Sequence, residues 1–233
     1  MPHLRPGLAA ELPESGVVMK PDHSGYYTPG GFFPSVTTII KETSSEDEKA
    51  NLQRWRERMA NRYEGDPDGL EKAFQAPLSR GSWVHASVEN WLQELPHQPN
   101  IAYHGYWRCL KAWLEQNIHS YYAIEKPIWH PLGFSGTFDF CGWTYDSTDL
   151  VLLDWKTSKR PRTPPLVHAY KLQCAAYRAG IRNTYGIEVN QASVVIARPF
   201  GTSPDVWPVT RRELDVLEDE FVYRLKDYQR LHP

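Results

Sequence analysis

Apolar positions along the chain change period several times, and each change marks an element. SGYYTPGGFF alternates around Pro29-Gly30-Gly31, which predicts two short strands joined by a turn. Ser35, after Pro34, stands as a side-chain cap for a short helix over VTTIIKE. EDEKANLQRWRERMANRY is densely charged, with Leu52, Trp55 and Met59 as sparse apolar positions. It predicts an amphipathic surface helix, broken by GDPDG. In LSRGSWVHASVENWLQEL the apolar residues Trp83, Val84, Val88, Trp91, Leu92 and Leu95 recur at helical spacing, and Arg80-Gly81 reads as the opening of that helix. AYHGYWRCLKAWLEQN predicts a further helix ending near Asn117.

YYAIEKPIWH, SGTFDFCGWT and LVLLDWKTS follow as apolar runs of strand character, the last two joined by the turn-forming YDSTD. SKRPRTPP reads as a loop and VHAYKLQCAAYRAG as a helix stopped by Gly180. QASVVIARP and DVWPVT read as a strand pair, and RRELDVLEDEFVYRLKDYQRL as a long closing helix. Helices, strands, helix, strands, helix is the order of an α/β domain with a central mixed β-sheet flanked by α-helices. Residues 1–33 are expected to form an N-terminal extension with a short hairpin, and 34–233 a single domain.

Composition narrows the class. A hydrophobic share of 41%, with 9 Trp, 13 Tyr and 8 Phe, supplies a sizeable core. No apolar run approaches the roughly 18 residues that cross a bilayer, and MPHLRPGLAAELPESG lacks the apolar stretch of a signal peptide. No membrane partner is expected, and the expected location is cytoplasmic. Cys109, Cys141 and Cys174 show no Cys-x-x-Cys spacing, so buried reduced thiols are expected. A net charge of -2 argues against coating long duplex DNA by charge alone. Basic residues are concentrated in two places. Arg54, Arg56, Arg58 and Arg62 read as a solvated face, while Lys156, Lys159, Arg160 and Arg162 adjoin the candidate chemistry and suit a phosphate.

That chemistry is centred on VLLDWKTSK. Strand residues two apart share a face, so Asp154 and Lys156 project side by side from the end of an apolar strand. Asp139, from the preceding strand, brings a second carboxylate, and paired carboxylates make an oxygen-lined pocket for Mg²⁺ or Mn²⁺. Lys156 adds a compact positive charge suited to a phosphate. His85 and Glu89 lie four apart on one helix, and Gln173 and Tyr177 four apart on another, with Tyr170 and Arg178 nearby. A lone helical histidine is more often a core residue than a ligand. Polar pairs on two otherwise apolar helices, however, are costly to bury unless something polar lies between them.

The ordered set RG-x-x-VH-x-x-x-E, G-x-x-D, D-x-K-T-S and Q-x-x-x-Y resembles the RecB-like branch of the PD-(D/E)xK nuclease superfamily. PSVTTII, LQRWRERM and DWKTSKRP are similar to its subgroup of mitochondrial genome maintenance exonucleases and their bacterial and phage relatives. The likeness runs from about Pro34 to Arg198. It implies a restriction-endonuclease-like core and a metal-dependent DNA exonuclease acting on single-stranded ends, in a bacterial cell or phage-infected host. His85, Asp139, Asp154 and the Trp155 carbonyl would ligate the metal, and Lys156 would orient the attacking water. Glu89 would be a supporting or second-metal residue, with Glu125 a further candidate. Gln173 and Tyr177 would support the site and contact DNA, as would Lys159, Arg160, Arg162 and Arg80. Tyr106, Trp107, Trp129 and Tyr177 are candidate base-stacking platforms. The cysteines do not match the four-cysteine iron–sulfur arrangement of some relatives, so no iron–sulfur cluster is expected. A replication or recombination protein is an expected partner. Two readings remain beside this one: a DNA-end-binding module with weak catalysis, and a structure- or sequence-specific endonuclease.

Overall fold

A computed structural model describes residues 5–6, 12–21 and 25–233; the rest of the expected N-terminal extension lies outside the described residues. Strands β1 (Arg5–Pro6), β2 (Val18–Met19), β3 (Gly25–Thr28) and β4 (Gly31–Pro34) come first. Helices α1 (Val36–Glu42), α2 (Glu46–Arg62), α3 (Pro67–Leu92) and α4 (His104–Asn117) follow. Next are β5 (Ile118–His130), β6 (Phe134–Thr144), β7 (Val151–Thr157), α5 (Pro164–Tyr185), β8 (Gln191–Ala197), β9 (Asp205–Val209) and α6 (Arg211–Leu231).

The expected mixed sheet is present, in the order β1-β5-β6-β7-β8-β9. Neighbours β5, β6 and β7 pair antiparallel, β7 and β8 pair parallel around α5, and β9 returns antiparallel. Helices cover both faces. Val151, Leu153 and Trp155 of β7 pack with Val84, Val88, Leu110 and Leu114 of α3 and α4. Leu152 packs with α1, α5 and α6 through Ile39, Leu172, Ala175 and Phe221. Burial on both faces is why β7 reads as a continuous apolar run. Alternation turns Asp154 and Lys156 toward the Leu152 side, that of α5.

Ser35 caps α1 as expected, accepting from Thr38 N at 3.0 Å. Ser45 and Glu48 form a capping box at the start of α2, a helix with no buried residue.

Two boundaries differ from the sequence reading. GDPDG does not merely end α2: Asp66 accepts from Gly69 N at 2.9 Å and Pro67 takes the first helical position, so α3 begins there. Arg80-Gly81 therefore lies in mid-helix. Nor does Gly180 stop α5. It stays helical because a Cβ there would meet Ile128 Cδ1 at 2.3 Å, so the small residue lets α5 lie close on β5. The stop is Gly186, left-handed at φ 69.

A smaller three-stranded sheet, β2-β3-β4, packs on the end of β6. Ser135 Oγ donates to the carbonyls of Phe33 and Pro34, each at 3.1 Å. The Tyr26 hydroxyl meets Thr137 Oγ1 at 3.1 Å.

Candidate active site

The C-terminal part of α3 carries His85 over the middle of β5, β6 and β7. Its Nε2 lies 2.9 Å from the Trp155 carbonyl. A carbonyl can only accept, so Nε2 carries the proton and Nδ1 is left to face two carboxylates. Those are Asp139 Oδ1 and Glu125 Oε1, each 3.5 Å away. The Trp155 N–H donates to Asp139 Oδ2 at 2.7 Å. The backbone of one residue, Trp155, thus aligns both side chains, its N–H held by the aspartate and its C=O by the histidine.

Glu125 faces Asp139 because Ile124 pairs with Phe140 and Lys126 with Phe138. Its backbone is left-handed, at φ 46. That conformation costs about 1–2 kcal/mol in a non-glycine residue, and strain of this kind concentrates at functional sites. His85, Glu125 and Asp139 each offer a ligand atom, all within 4.8 Å of one another. One imidazole nitrogen and two carboxylate oxygens form a donor set that fits a divalent cation.

Asp154 is 1% exposed, and Lys156 Nζ stands 2.5 Å from its Oδ2. Apart from that ion pair, neither carboxylate oxygen finds a hydrogen-bond donor among the described residues. Burial pushes the Asp154 carboxyl up to about 6 against the opposing pull of Lys156. Burial likewise raises Asp139, opposed by His85 and Lys156. For His85, burial acts downward but is outweighed by the Asp139 charge and the Glu125 contact, leaving it at about 9. Burial would lower Lys156 too, yet Asp154 and Asp139 hold it above its ordinary range, and it stays cationic. The Tyr170 ring centroid lies 5.4 Å from its ammonium. Buried acids with fixed cations beside them are an arrangement that can take a divalent metal or a phosphate.

The other predicted residues divide by place. Gln173 and Tyr177 are buried on α5, Gln173 Nε2 donating to Tyr177 Oη at 2.8 Å. Gly136, the glycine of G-x-x-D, makes room for that ring: a Cβ there would meet Tyr177 Cε1 at 2.7 Å. Arg80 is 8% exposed; its Nε donates to Thr157 Oγ1 at 3.0 Å and its guanidinium lies over Tyr106. Lys159 and Arg160 are exposed in the loop after β7, and Arg162 is half-buried. Glu89 lies outside the three-residue cluster and accepts from Gln93 Nε2 at 3.1 Å. Tyr26 had no role in the sequence reading, yet it forms one wall through Thr137. The alternation of SGYYTPGGFF marked it as one side of a strand, without showing what that side would meet.

No family model matches the chain. It is similar to the mitochondrial genome maintenance exonuclease 1 of Xenopus tropicalis, with 30% identity over 181 residues, 74% of this chain and 50% of the relative. The Mus musculus protein of that name is 28% identical over 72% of this chain and 51% of its own length, and the Homo sapiens protein 27% over 72% and 50%. The chain is of the RecB-like PD-(D/E)xK kind. It spans about half the length of these curated relatives. A solved structure, that of SSO0001, aligns with a TM-score of 0.43 at 14% identity, over 85% of this chain and 76% of that one.

Proposed function

We propose that this chain is a divalent-metal-dependent deoxyribonuclease that hydrolyses phosphodiester bonds from single-stranded DNA ends, serving replication, repair or recombination. What carries the reading is the convergence of His85 Nδ1, Glu125 Oε1 and Asp139 Oδ1 beside the Lys156–Asp154 pair. The exonuclease names of the relatives support DNA as the substrate.

His85, Glu125 and Asp139 would hold the cation, with Asp154 adjoining them. When bound, Mg²⁺ or Mn²⁺ would supply positive charge to the phosphate and lower the pKa of a coordinated water. Lys156, kept protonated by its buried carboxylates, neutralises charge that builds on the phosphate oxygens in the transition state. Because Asp154 and Tyr170 fix its position, little reorganisation is needed at that moment. Trp155 holds the His85 ring and Asp139 in register. Gln173 and Tyr177 brace the site from behind. Lys159, Arg160 and Arg162 supply positive charge along the approach of a strand.

The test is digestion of 5′- and 3′-end-labelled single strands in Mg²⁺, Mn²⁺ or EDTA, with circular and duplex controls. Metal-dependent loss of linear single strands is expected, abolished by His85→Ala, Asp154→Ala and Lys156→Ala in folded protein. Full activity in all three variants would overturn the reading. Cutting of closed circles at fixed positions would replace it with an endonuclease. Tight binding without cleavage would leave a DNA-end-binding module.

A further inference from the structure

Of the aromatics named above as stacking platforms, Tyr106, Trp107 and Tyr177 are 3%, 6% and 4% exposed and present no face to a base. Unmet hydrogen-bonding capacity points to other groups that could hold a strand. At the active site the unmet atoms are acceptors, the two carboxylate oxygens of Asp154. Elsewhere they are donors, and two of these stand out: Arg162 Nε and Trp207 Nε1, both buried without an acceptor. Arg178 and Arg224 each leave one nitrogen unmet as well, but both pair with carboxylates of α6. Arg162 and Trp207 form no hydrogen bond or ion pair through their side chains among the described residues. Buried donors without an acceptor are uncommon in a folded chain and call for a physical reason.

Both side chains line one depression of about 410 Å³, together with Pro161, Asp205 and Val206. Sheet register fixes its place. Asp154 pairs with Val194 and Val194 with Trp207, so all three share one face of the sheet. Two strand spacings separate β9 from β7, about 10 Å. The loop after β7 crosses the end of β8, where Ser158 N donates to the Ala197 carbonyl at 3.0 Å, and it brings Pro161 and Arg162 against β9. Lys159 and Arg160 are exposed on that same loop. Asp205, the one acid of the lining, is met by Arg198 Nη2 at 3.0 Å. Helix α5 starts two residues beyond Arg162, at Pro164, with no side-chain cap on Thr163 and no acid in its first turn. The positive end of its dipole is therefore uncompensated beside the depression. A guanidinium and an indole N–H only donate, so the matching ligand is an anion rich in acceptor oxygens, and the guanidinium fork suits a phosphate.

We propose that this depression is a phosphate subsite, in which Arg162 and the Trp207 indole N–H hold a phosphate of the substrate strand away from the bond being cut. A nucleic-acid strand carries phosphates at fixed intervals. One seated here sets which of its neighbours lies over His85, Glu125 and Asp139. The contact fixes register and ignores base identity, as phosphate contacts do. Cleavage then resides in the carboxylate cluster and placement of the strand in the edge of the sheet. The inference rests on the nucleic-acid reading above and adds Trp207 to it.

The test is fluorescence anisotropy of the full chain, with Ca²⁺ in place of a catalytic metal. The probes are labelled oligothymidylates in which one neutral methylphosphonate linkage is moved stepwise along the strand, and strands with or without a terminal phosphate. Wild-type protein should lose affinity wherever the neutral group replaces a held phosphate. In Arg162→Gln one of those positions should fall silent, with roughly tenfold weaker binding of the all-phosphate strand and a salt slope lower by about one. Trp207→Phe keeps an aromatic ring and removes the N–H, and it should blunt the same position. A silent internal linkage assigns the depression to an internucleotide phosphate, and a silent terminal group assigns it to the strand's end; each supports the subsite. Wild-type profiles and salt slopes in both variants overturn it and leave the exonuclease reading intact. Wild-type protein that binds no strand and degrades none in Mg²⁺ or Mn²⁺ defeats the nucleic-acid reading itself.

Discussion

Arg80 and Thr157 lie 77 residues apart in the chain, yet the arginine Nε donates to the threonine hydroxyl at 3.0 Å. This bond ties the helix that carries His85 to the strand that carries Asp154 and Lys156. Arg80 acts on the site through its position in the fold. Thr157→Val keeps the shape but strips a buried charged donor of its acceptor, which costs about 1–3 kcal/mol. Urea unfolding should show that loss. Activity should fall together with the His85 alignment, while salt dependence of DNA binding stays as in wild type. A reduced salt dependence in Arg80→Gln would instead place Arg80 on a phosphate.

Lys156→Met should separate catalysis from metal binding. The substitution keeps the buried stem and removes the cation that Asp154 pairs with. Degradation should drop roughly 100-fold or more, as for loss of a transition-state donor. Titration calorimetry with Mn²⁺ should show binding retained or tightened, since the protein's own competing charge is gone.

Proton linkage has a definite sign here. His85 is shifted upward from 6.5 to about 9, and Asp154 from 3.8 to about 6. Each folded pKa is raised, so each group's stabilising contribution is full below its unfolded value. It is lost as pH rises through the folded value: between about 4 and 6 for Asp154, and between 6.5 and about 9 for His85. Metal-free protein compared with His85→Gln should show that advantage shrinking across the upper window. Divalent metal should bind more tightly as pH rises, with proton release visible as a dependence of the binding heat on buffer ionisation.

Gly136→Ala should act on Tyr177. The added methyl would stand 2.7 Å from the ring's Cε1 atom, inside any tolerable contact. Overpacking of this kind costs about 1–3 kcal/mol. The Tyr177–Gln173 bond should be lost with it, and thermal unfolding together with strand degradation should both report the damage.

Glu125 offers a comparison of strain with function. At φ 46 its backbone suits glycine better than alanine. Glu125→Gly should be about 0.5–1 kcal/mol more stable than Glu125→Ala. Both should lose Mn²⁺ affinity to the same extent. Equal stability of the two in chemical denaturation would show that the left-handed backbone carries no strain.

Much of this arrangement was legible in advance. Strand alternation alone placed Asp154 and Lys156 side by side on one face, and the structure brings them together as an ion pair. Ser35 announced the start of α1 through its own side chain. The start of α3 escaped because GDPDG carries a break and an N-cap in the same residues, and only Asp66 accepting from Gly69 N distinguishes them. Gly180 was misread for a related reason: a glycine needed for close approach and one needed for a left-handed turn look alike as letters. The buried Ile128 contact separates the first from the second at Gly186.

By itself the sequence determined most of the strands and helices, their order, and the placing of Asp154 beside Lys156, because these follow from sterics between residues a few positions apart. The three-dimensional structure alone decided that Glu125, and not Glu89, joins His85 and Asp139 in the cluster. It also turned Arg80 inward and set Arg162 and Trp207 around one depression. Those outcomes depend on how β5 registers against β6 and on which surfaces meet across the fold. Interactions between segments tens of residues apart set both, and no local pattern records them.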